Sequence, residues 1–218
     1  MKITAVIPAR YESSRFPGKP LVEIAGKPMI QRVYERVIQV ESLDQVMVAT
    51  DDKRIKKVIK NIGGNAVMTS SEHGSGTERI AEVARNLNSN IIVNVQGDEP
   101  VIKPEMIASA IKPFFEEKDL KMSTLKKKIV DKNEIENPNV VKVVTDRDDN
   151  ALYFSRSPLP YRRQKSGIDI YKHIGLYVYQ RDFLLKYASM EATSLENTEL
   201  LEQLRVLENG YKIKVVET

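Results

Sequence analysis

The chain has 218 residues, of which 41% are hydrophobic and 29% charged, and a formal net charge of +4. That length and apolar content suit one large domain with a substantial core, and the charge is too mild to predict a nucleic-acid partner. There is no Cys, and His73 and His173 are the two histidines, which excludes disulfides, thiol catalysis and a nitrogen-and-sulfur zinc site. Any metal must rest on oxygen ligands, which points to Mg²⁺ or Mn²⁺. In chain order, Ile3 to Ile7 reads as a short buried strand that ends at Pro8, followed by a polar, Gly- and Pro-containing loop to about Pro20. Pro28 suits a helix's first position, and Met29, Ile30, Val33, Tyr34, Val37 and Ile38 recur at helical spacing. Val46 to Ala49 is the next strand. Asp51 or Asp52 can cap a helix carrying Ile55, Val58, Ile59 and Ile62, which Gly63-Gly64 ends. Ala66 to Met68 is a third strand, Thr77 to Leu87 a third helix and Ile91 to Val95 a fourth strand.

Strand, crossover helix and strand at this period predict an α/β fold with a doubly wound, mostly parallel sheet. Beyond about residue 120 the pattern changes. Val140 to Val144, Leu152 to Phe154, Ile174 to Tyr179 and Ile213 to Val216 read as strands. Phe183 to Met190 and Leu195 to Leu207 read as helices, with Asn209-Gly210 closing the second. The stretch 155–168 is rich in Pro and Arg and reads as an extended loop. Lys126 to Lys128, the longest basic run, reads as a solvated surface turn because no aromatic residue is interleaved with it. No apolar run approaches the ~18 residues of a membrane helix, and Met1 to Ile7 is too short for a signal-peptide core. The expectation is a soluble, cytoplasmic protein without a membrane partner.

In doubly wound sheets ligands sit beyond the carboxyl ends of the strands. Here those ends carry the unusual loops 8–19, 69–76 and 96–100. The first holds Arg10, Arg15 and Lys19, with Ser13, Ser14 and Gly18 between them. A triphosphate carries about four negative charges and needs cations together with backbone and hydroxyl donors at close range. The loop matches neither the Walker phosphate loop nor the dinucleotide fingerprint. After the fourth strand, Gln96-Gly-Asp-Glu-Pro100 places the carboxylate of Asp98 where it could hold a divalent cation against phosphate oxygens. A plain helix cap ahead of Pro100 is the alternative.

Pro-Ala-Arg-x-x-Ser-Ser-Arg-x-x-Gly-Lys-Pro-Leu resembles the signature of the sugar nucleotidyltransferases. The likeness to the 3-deoxy-manno-octulosonate (KDO) cytidylyltransferases extends through His73-Gly-Ser-Gly-Thr-Glu-Arg79, Asn94 to Pro100, Asn137 to Val144, Ala151 to Pro158, His173 to Tyr177 and Leu201 to Gly210. It therefore covers nearly the whole chain in order. The resemblance implies a Rossmann-like nucleotidyltransferase with a nucleotide-binding part at 1–120 and a smaller sugar-binding and dimerisation lobe at 121–218. The implied activity is transfer of CMP from CTP to KDO for lipopolysaccharide synthesis, with Mg²⁺ as cofactor and a homodimer as assembly. A different sugar acid, amino-substituted or sialic-acid-like, is the nearest alternative, and an inactive nucleotide-binding module the more distant one.

The family match implies the site residues. Arg10, Arg15, Lys19 and Asp98 would be catalytic, with Asp98 as metal ligand. Ala9, Arg10, Ser14, Arg15, Lys19, Ser71, His73, Ser75, Arg79 and Gln96 would bind the nucleotide. His73 serves equally well as a capping or surface histidine. Arg156, His173, Tyr177, Glu202 and Gln203 would bind the sugar acid, Arg156 supplying the cation for its carboxylate. Glu202 and Gln203 could instead lie on solvated helix faces, and Tyr177 in the core. The family also continues past the last strand into a segment whose Asp is another metal ligand; either the sequence to Thr218 is a piece of a longer chain or, if 218 residues is the true length, weakened Mg²⁺ binding and low turnover are expected.

Overall fold

The computed structural model describes residues 1–12, 16–164 and 167–218. β1 (Ile3–Ala9) is buried along its whole length, as a continuous apolar run covered on both faces should be. A 3₁₀ turn at Lys19–Leu21 leads into a small hairpin of β2 (Glu23–Ile24) and β3 (Lys27–Pro28). The hairpin turns on Ala25 and Gly26, both at positive φ, the pair of left-handed residues that its tight turn demands. α1 (Met29–Val37) then starts one residue after Pro28. Pro28 therefore ends the hairpin and stands ahead of the helix rather than inside it.

The expected alternation follows: β4 (Gln45–Thr50), α2 (Lys53–Asn61), β5 (Ala66–Met68), α3 (Gly76–Arg85) and β6 (Ile91–Asn94). Of the two acids able to cap α2, Asp52 is the one used, accepting from the Arg54 amide at 2.7 Å. Four elements have no counterpart among the expected ones: α4 (Pro104–Ile111), α5 (Pro113–Glu116), β7 (Met122–Lys128) and α6 (Asn133–Glu136). The chain ends with β8 (Lys142–Thr145), β9 (Ala151–Ser155), β10 (Tyr171–Gln180), α7 (Arg181–Tyr187), α8 (Ser194–Glu199), α9 (Gln203–Glu208) and β11 (Lys214–Glu217).

Among the described residues, nine strands form one sheet, with the order β11-β7-β10-β6-β1-β4-β5 and with β8 and β9 added at the start of β10. β1, β4, β5 and β6 are mutually parallel, and β10 runs antiparallel to both β6 and β7. The sheet is thus mostly parallel and continuous through both halves of the chain. Alternate residues of β1 feed opposite layers. Ile3, Ala5 and Ile7 pack with α1, α2 and α4, whereas Val6 packs with α3, α7 and α9. The carboxyl ends of β1, β4 and β6 are therefore held by core packing on both faces, and the loops that leave them start from fixed points. No helix among the described residues is long and apolar enough to cross a membrane.

Two expectations are corrected. Lys126 to Lys128 is the end of β7, not a solvated turn. Lys126 is still inside the covered part of β7, pairs with Asp149 at 2.6 Å and lies over the Tyr171 ring, while Lys128, at the strand's exposed end, pairs at the surface with Asp169. The single helix expected over Leu195 to Leu207 is broken in two. Leu200 adopts a left-handed conformation with φ 53° and ends α8. The chain then restarts as α9 in a new direction, which brings Glu202 and Gln203 to the start of that helix.

Candidate active site

A cleft of about 510 Å³ opens at the carboxyl ends of β1 and β6. Pro8, Ala9, Arg10, Phe16, Lys19 and Pro20 form one wall, and Gln96, Gly97 and Asp98 form the floor. His73, Gly74, Ser75, Gly76 and Arg79 form the opposite wall, with Glu202 at its far end. Three loops that are distant in sequence thus meet where the sheet topology places them, and part of the second half of the chain joins them.

The loop after β1 is closed at its base. The Gly18 amide donates to the Tyr11 carbonyl at 2.8 Å, and Gly18 has φ 75°. A Cβ on Gly18 would press to within 3.1 Å of the Tyr11 ring, over which the Arg54 guanidinium lies at 3.5 Å. Lys19 follows and pairs with Asp98 at 2.5 Å. Both side chains are nearly half exposed, at 41% and 49%, so the pair contributes at most about 1 kcal/mol of stability and either member can exchange to another charge. Arg10 is exposed and has no ion-pair partner among the described residues. Ser14 and Arg15 lie outside the described residues.

Asp98 caps no helix: α4 begins at Pro104, six residues on, and Lys103 is the residue before it. The cap reading therefore falls away. Gly97 is needed for packing rather than for ligand approach. A Cβ there would meet the Pro8 carbonyl oxygen at 2.7 Å, so glycine lets the β6 loop seat directly against the end of β1. Beside Asp98, the Glu99 carboxyl is raised above the usual range by burial and by its charged neighbour.

On the opposite wall, Ser75 caps α3, its hydroxyl accepting from the Glu78 amide. His73 is neither a cap nor a free surface residue. Its Nε2 is hydrogen-bonded to Glu82, which also accepts from the Ser70 amide, and these contacts hold the Glu82 carboxyl below its usual range. Arg79 is buried. It donates to Thr69 Oγ1, the Ser70 carbonyl and, at 2.7 Å, Asp51 Oδ2. Asp51 also accepts from the Tyr11 amide, so one carboxylate ties together the loops 10–18 and 69–76. Gln96 donates to Asn94, and Ser71 is exposed and does not line the cleft. Asp51, Thr69, Glu78 and Glu82 had no place among the expected site residues. The signal for Asp51 was the pair of adjacent acids after β4, since only one of them can cap α2.

The sugar-side residues fall into two groups. Tyr177 donates to Gln203 Oε1 at 3.2 Å, and the His173 and Tyr177 rings lie 5.4 Å apart. Gln203 is buried, its Nε2 without a hydrogen-bond partner among the described residues, and Glu202 is half-buried. Neither sits on a solvated helix face, because the break at Leu200 turns them inward. Burial raises the Glu202 and Tyr177 acids. Arg156 stands apart from the cleft lining. It donates to the carbonyls of Glu199, Pro138 and Leu200, which among the described residues leaves one N–H on each terminal nitrogen uncommitted.

His173 is held neutral. Burial lowers it to about 3, and its Nε2 is hydrogen-bonded to Thr124 Oγ1 at 2.9 Å. With an unfolded value of about 6.5, protons bind the unfolded chain first as pH falls, so this group's effect is to remove stability from pH 6.5 down to about 3. Denaturant titrations at pH 7 and pH 5 should differ by about 2 kcal/mol through this group alone, and the His173→Asn variant should lose that part of the difference.

A family model for cytidylyltransferases matches residues 4–213. The chain is 58% identical to a 3-deoxy-manno-octulosonate cytidylyltransferase of Trichlorobacter lovleyi, with all of this chain and 91% of that protein aligned. A protein of the same name from Fusobacterium nucleatum is 56% identical over all of this chain and 89% of its own length. Among solved structures, a CMP:2-keto-3-deoxy-manno-octonic acid synthetase complexed with CTP superposes with a TM-score of 0.96 at 44% identity, covering all of this chain and 90% of that one. The 4-diphosphocytidyl-2C-methyl-D-erythritol synthase of Anaerococcus prevotii, at 16% identity and a TM-score of 0.62, shares the fold alone. The chain belongs to the cytidylyltransferase family, among its 3-deoxy-manno-octulosonate cytidylyltransferases.

Proposed function

We propose that this chain transfers CMP from CTP to the anomeric hydroxyl of KDO, giving CMP-KDO and pyrophosphate. The observation that carries the reading is the single cleft in which the cationic loop after β1, the Asp98 loop and the loop before α3 face Glu202. The likeness over the full chain to a CTP-bound CMP-KDO synthetase supports it. The anomeric oxygen forms its bond to the α-phosphorus as the bond from that phosphorus to pyrophosphate breaks. Catalysis of this kind is mostly positioning and charge stabilisation. Arg10 and Lys19 offset charge on the departing pyrophosphate, together with Arg15 of the same loop. Ala9, Ser14, His73, Ser75, Arg79 and Gln96 form the nucleotide side, where His73 and Arg79 act by fixing the loop that carries Ser75, while Ser71, exposed outside the cleft, drops out of that set.

Mg²⁺ is the proposed cofactor, and Asp98, with Glu99 beside it, would hold it. No group of three or more His, Asp and Glu gathers among the described residues to make a protein cage. Such a sparse donor set suits Mg²⁺, which keeps several waters and takes substrate phosphate oxygens as ligands. When bound, the ion neutralises phosphate charge. On the sugar side, His173 and Tyr177 frame Gln203. Its unpaired buried Nε2 is a donor that a sugar hydroxyl would satisfy, and the two uncommitted N–H groups of Arg156 can meet a carboxylate. In the same reading the enzyme works in the cytoplasm, dimerises through residues 121–218 and supplies lipopolysaccharide synthesis; light scattering reads the dimer directly.

The test is pyrophosphate release with Mg²⁺ across CTP, UTP and ATP, each with KDO, amino-substituted KDO and a sialic acid. Release is expected from CTP with KDO. No release with KDO overturns the substrate, and CTP binding without release from any acid overturns the reaction.

A further inference from the structure

Thr77 belongs to α3, the helix into which the nucleotide-side loop runs, yet its hydroxyl reaches the other side of the cleft. Its Oγ1 donates to Glu202 Oε2 at 2.8 Å, across 125 positions of sequence. Thr77 is buried, and Glu202 lines the cleft.

The backbone around Glu202 is fixed independently of Thr77. The Tyr187 hydroxyl donates to the Glu202 carbonyl at 2.7 Å, and the Tyr177 hydroxyl donates to the side chain of Gln203. Among the described residues, Thr77 is the one hydrogen-bond donor to the Glu202 carboxylate. A half-buried carboxylate with one hydrogen-bond partner takes its orientation from that partner, because leaving it gives up the one protein hydrogen bond that offsets partial desolvation. Thr77 is buried, and α3 is anchored at its start by the Ser75 cap. The backbone that carries the hydroxyl is therefore fixed, and the bond to Glu202 selects its direction.

We infer that Thr77 is a positioning residue for the sugar acid: from the nucleotide helix, it aims the Glu202 carboxylate at the sugar's hydroxyls. The inference rests on the reading that Glu202 lies on the sugar side of a cytidylyltransferase cleft. It makes the start of α3 a shared part, with Ser75 on the nucleotide wall and Thr77 two residues later serving the other substrate.

The experiment uses the full chain, with KM measured for KDO at saturating CTP and for CTP at saturating KDO. Thr77→Val keeps the shape and removes the donor. It should raise KM for KDO about ten-fold, the scale of one hydrogen bond to a charged group, and leave KM for CTP within about two-fold. Thr77→Ser, which restores the hydroxyl, should recover the parent's values. In a Glu202→Gln background, adding Thr77→Val should cost nothing further, because the two residues act as one unit. If the valine variant melts more than about 5 °C below the parent, on the scale of ~1–2 kcal/mol, Thr77→Ala takes its place in the same cycle. Equal rises in both KM values, unmoved values, failure of the serine rescue or additive effects with Glu202→Gln would each overturn the role of Thr77 alone. No pyrophosphate from the parent with CTP and KDO overturns the reading beneath it as well.

Discussion

Asp98→Asn is expected to lower kcat by about a hundred-fold or more, the range seen when one electrostatic contact to a transition state is removed, while leaving the fold intact. The stability half follows from exposure. The Asp98 side chain is 49% exposed and its one ion pair, with Lys19, is at the surface, so its loss costs less than about 1 kcal/mol. The activity half follows from position: Asp98 leaves β6 beside Gly97, which packs against the Pro8 carbonyl, so the carboxylate is held at the cleft floor next to the cationic loop after β1. Two roles for Asp98 give different titrations. If it holds Mg²⁺, the asparagine variant needs much more Mg²⁺ for half its maximal rate. If it only steers Lys19, KM for CTP rises and the Mg²⁺ dependence stays put. Unchanged kcat and unchanged Mg²⁺ dependence would remove Asp98 from the machinery.

The first half of the fold was legible because each signal there is local. Ile3 to Ile7 is a buried apolar run with a proline after it, α1 shows helical spacing, and Asp52 caps α2 with its own side chain. The segment from 101 to 136 was not, since β7 ends in three lysines and no local pattern reveals that Asp149 and Tyr171 lie across from Lys126. The break between α8 and α9 was equally hidden. Leu195, Leu201 and Leu204 keep a helical rhythm, and a leucine with positive φ leaves no mark in sequence. At the site, the motifs located the cleft's three loops but not the work of each residue. Arg79 in His73-Gly-Ser-Gly-Thr-Glu-Arg79 reads as a cation for phosphate. Its partner Asp51 sits 28 residues earlier, on another strand's end, and only the sheet brings the two together. Arg156 is the same case: its neighbours Glu199 and Leu200 arrive from a helix terminus that the sequence pattern did not separate from α9.

Arg79→Met should be the most destabilising change near the cleft, by about 3–5 kcal/mol, because it removes one partner of a buried ion pair and leaves the other uncompensated. Arg79 is 2% exposed, and Asp51 would keep a charge with only the distant Tyr11 amide, at 3.4 Å, to hold it. For a chain of this size each kcal/mol moves the melting temperature by about 2–4 °C, so a fall on the order of 10 °C is expected in calorimetry. Methionine matches the arginine's stem in volume, so the loss reports the missing charge and hydrogen bonds rather than a cavity. The double variant Asp51→Asn with Arg79→Met separates the terms. With the carboxylate neutralised, much of the cost should disappear, giving a strongly non-additive cycle. An additive cycle would mean that Arg79 stabilises through Thr69 and the Ser70 carbonyl instead. The double variant, if it folds well, should still bind CTP poorly. The loops 10–18 and 69–76 would then both be present without the Arg79–Asp51 link between them, and a triphosphate site needs its donors on both walls at once.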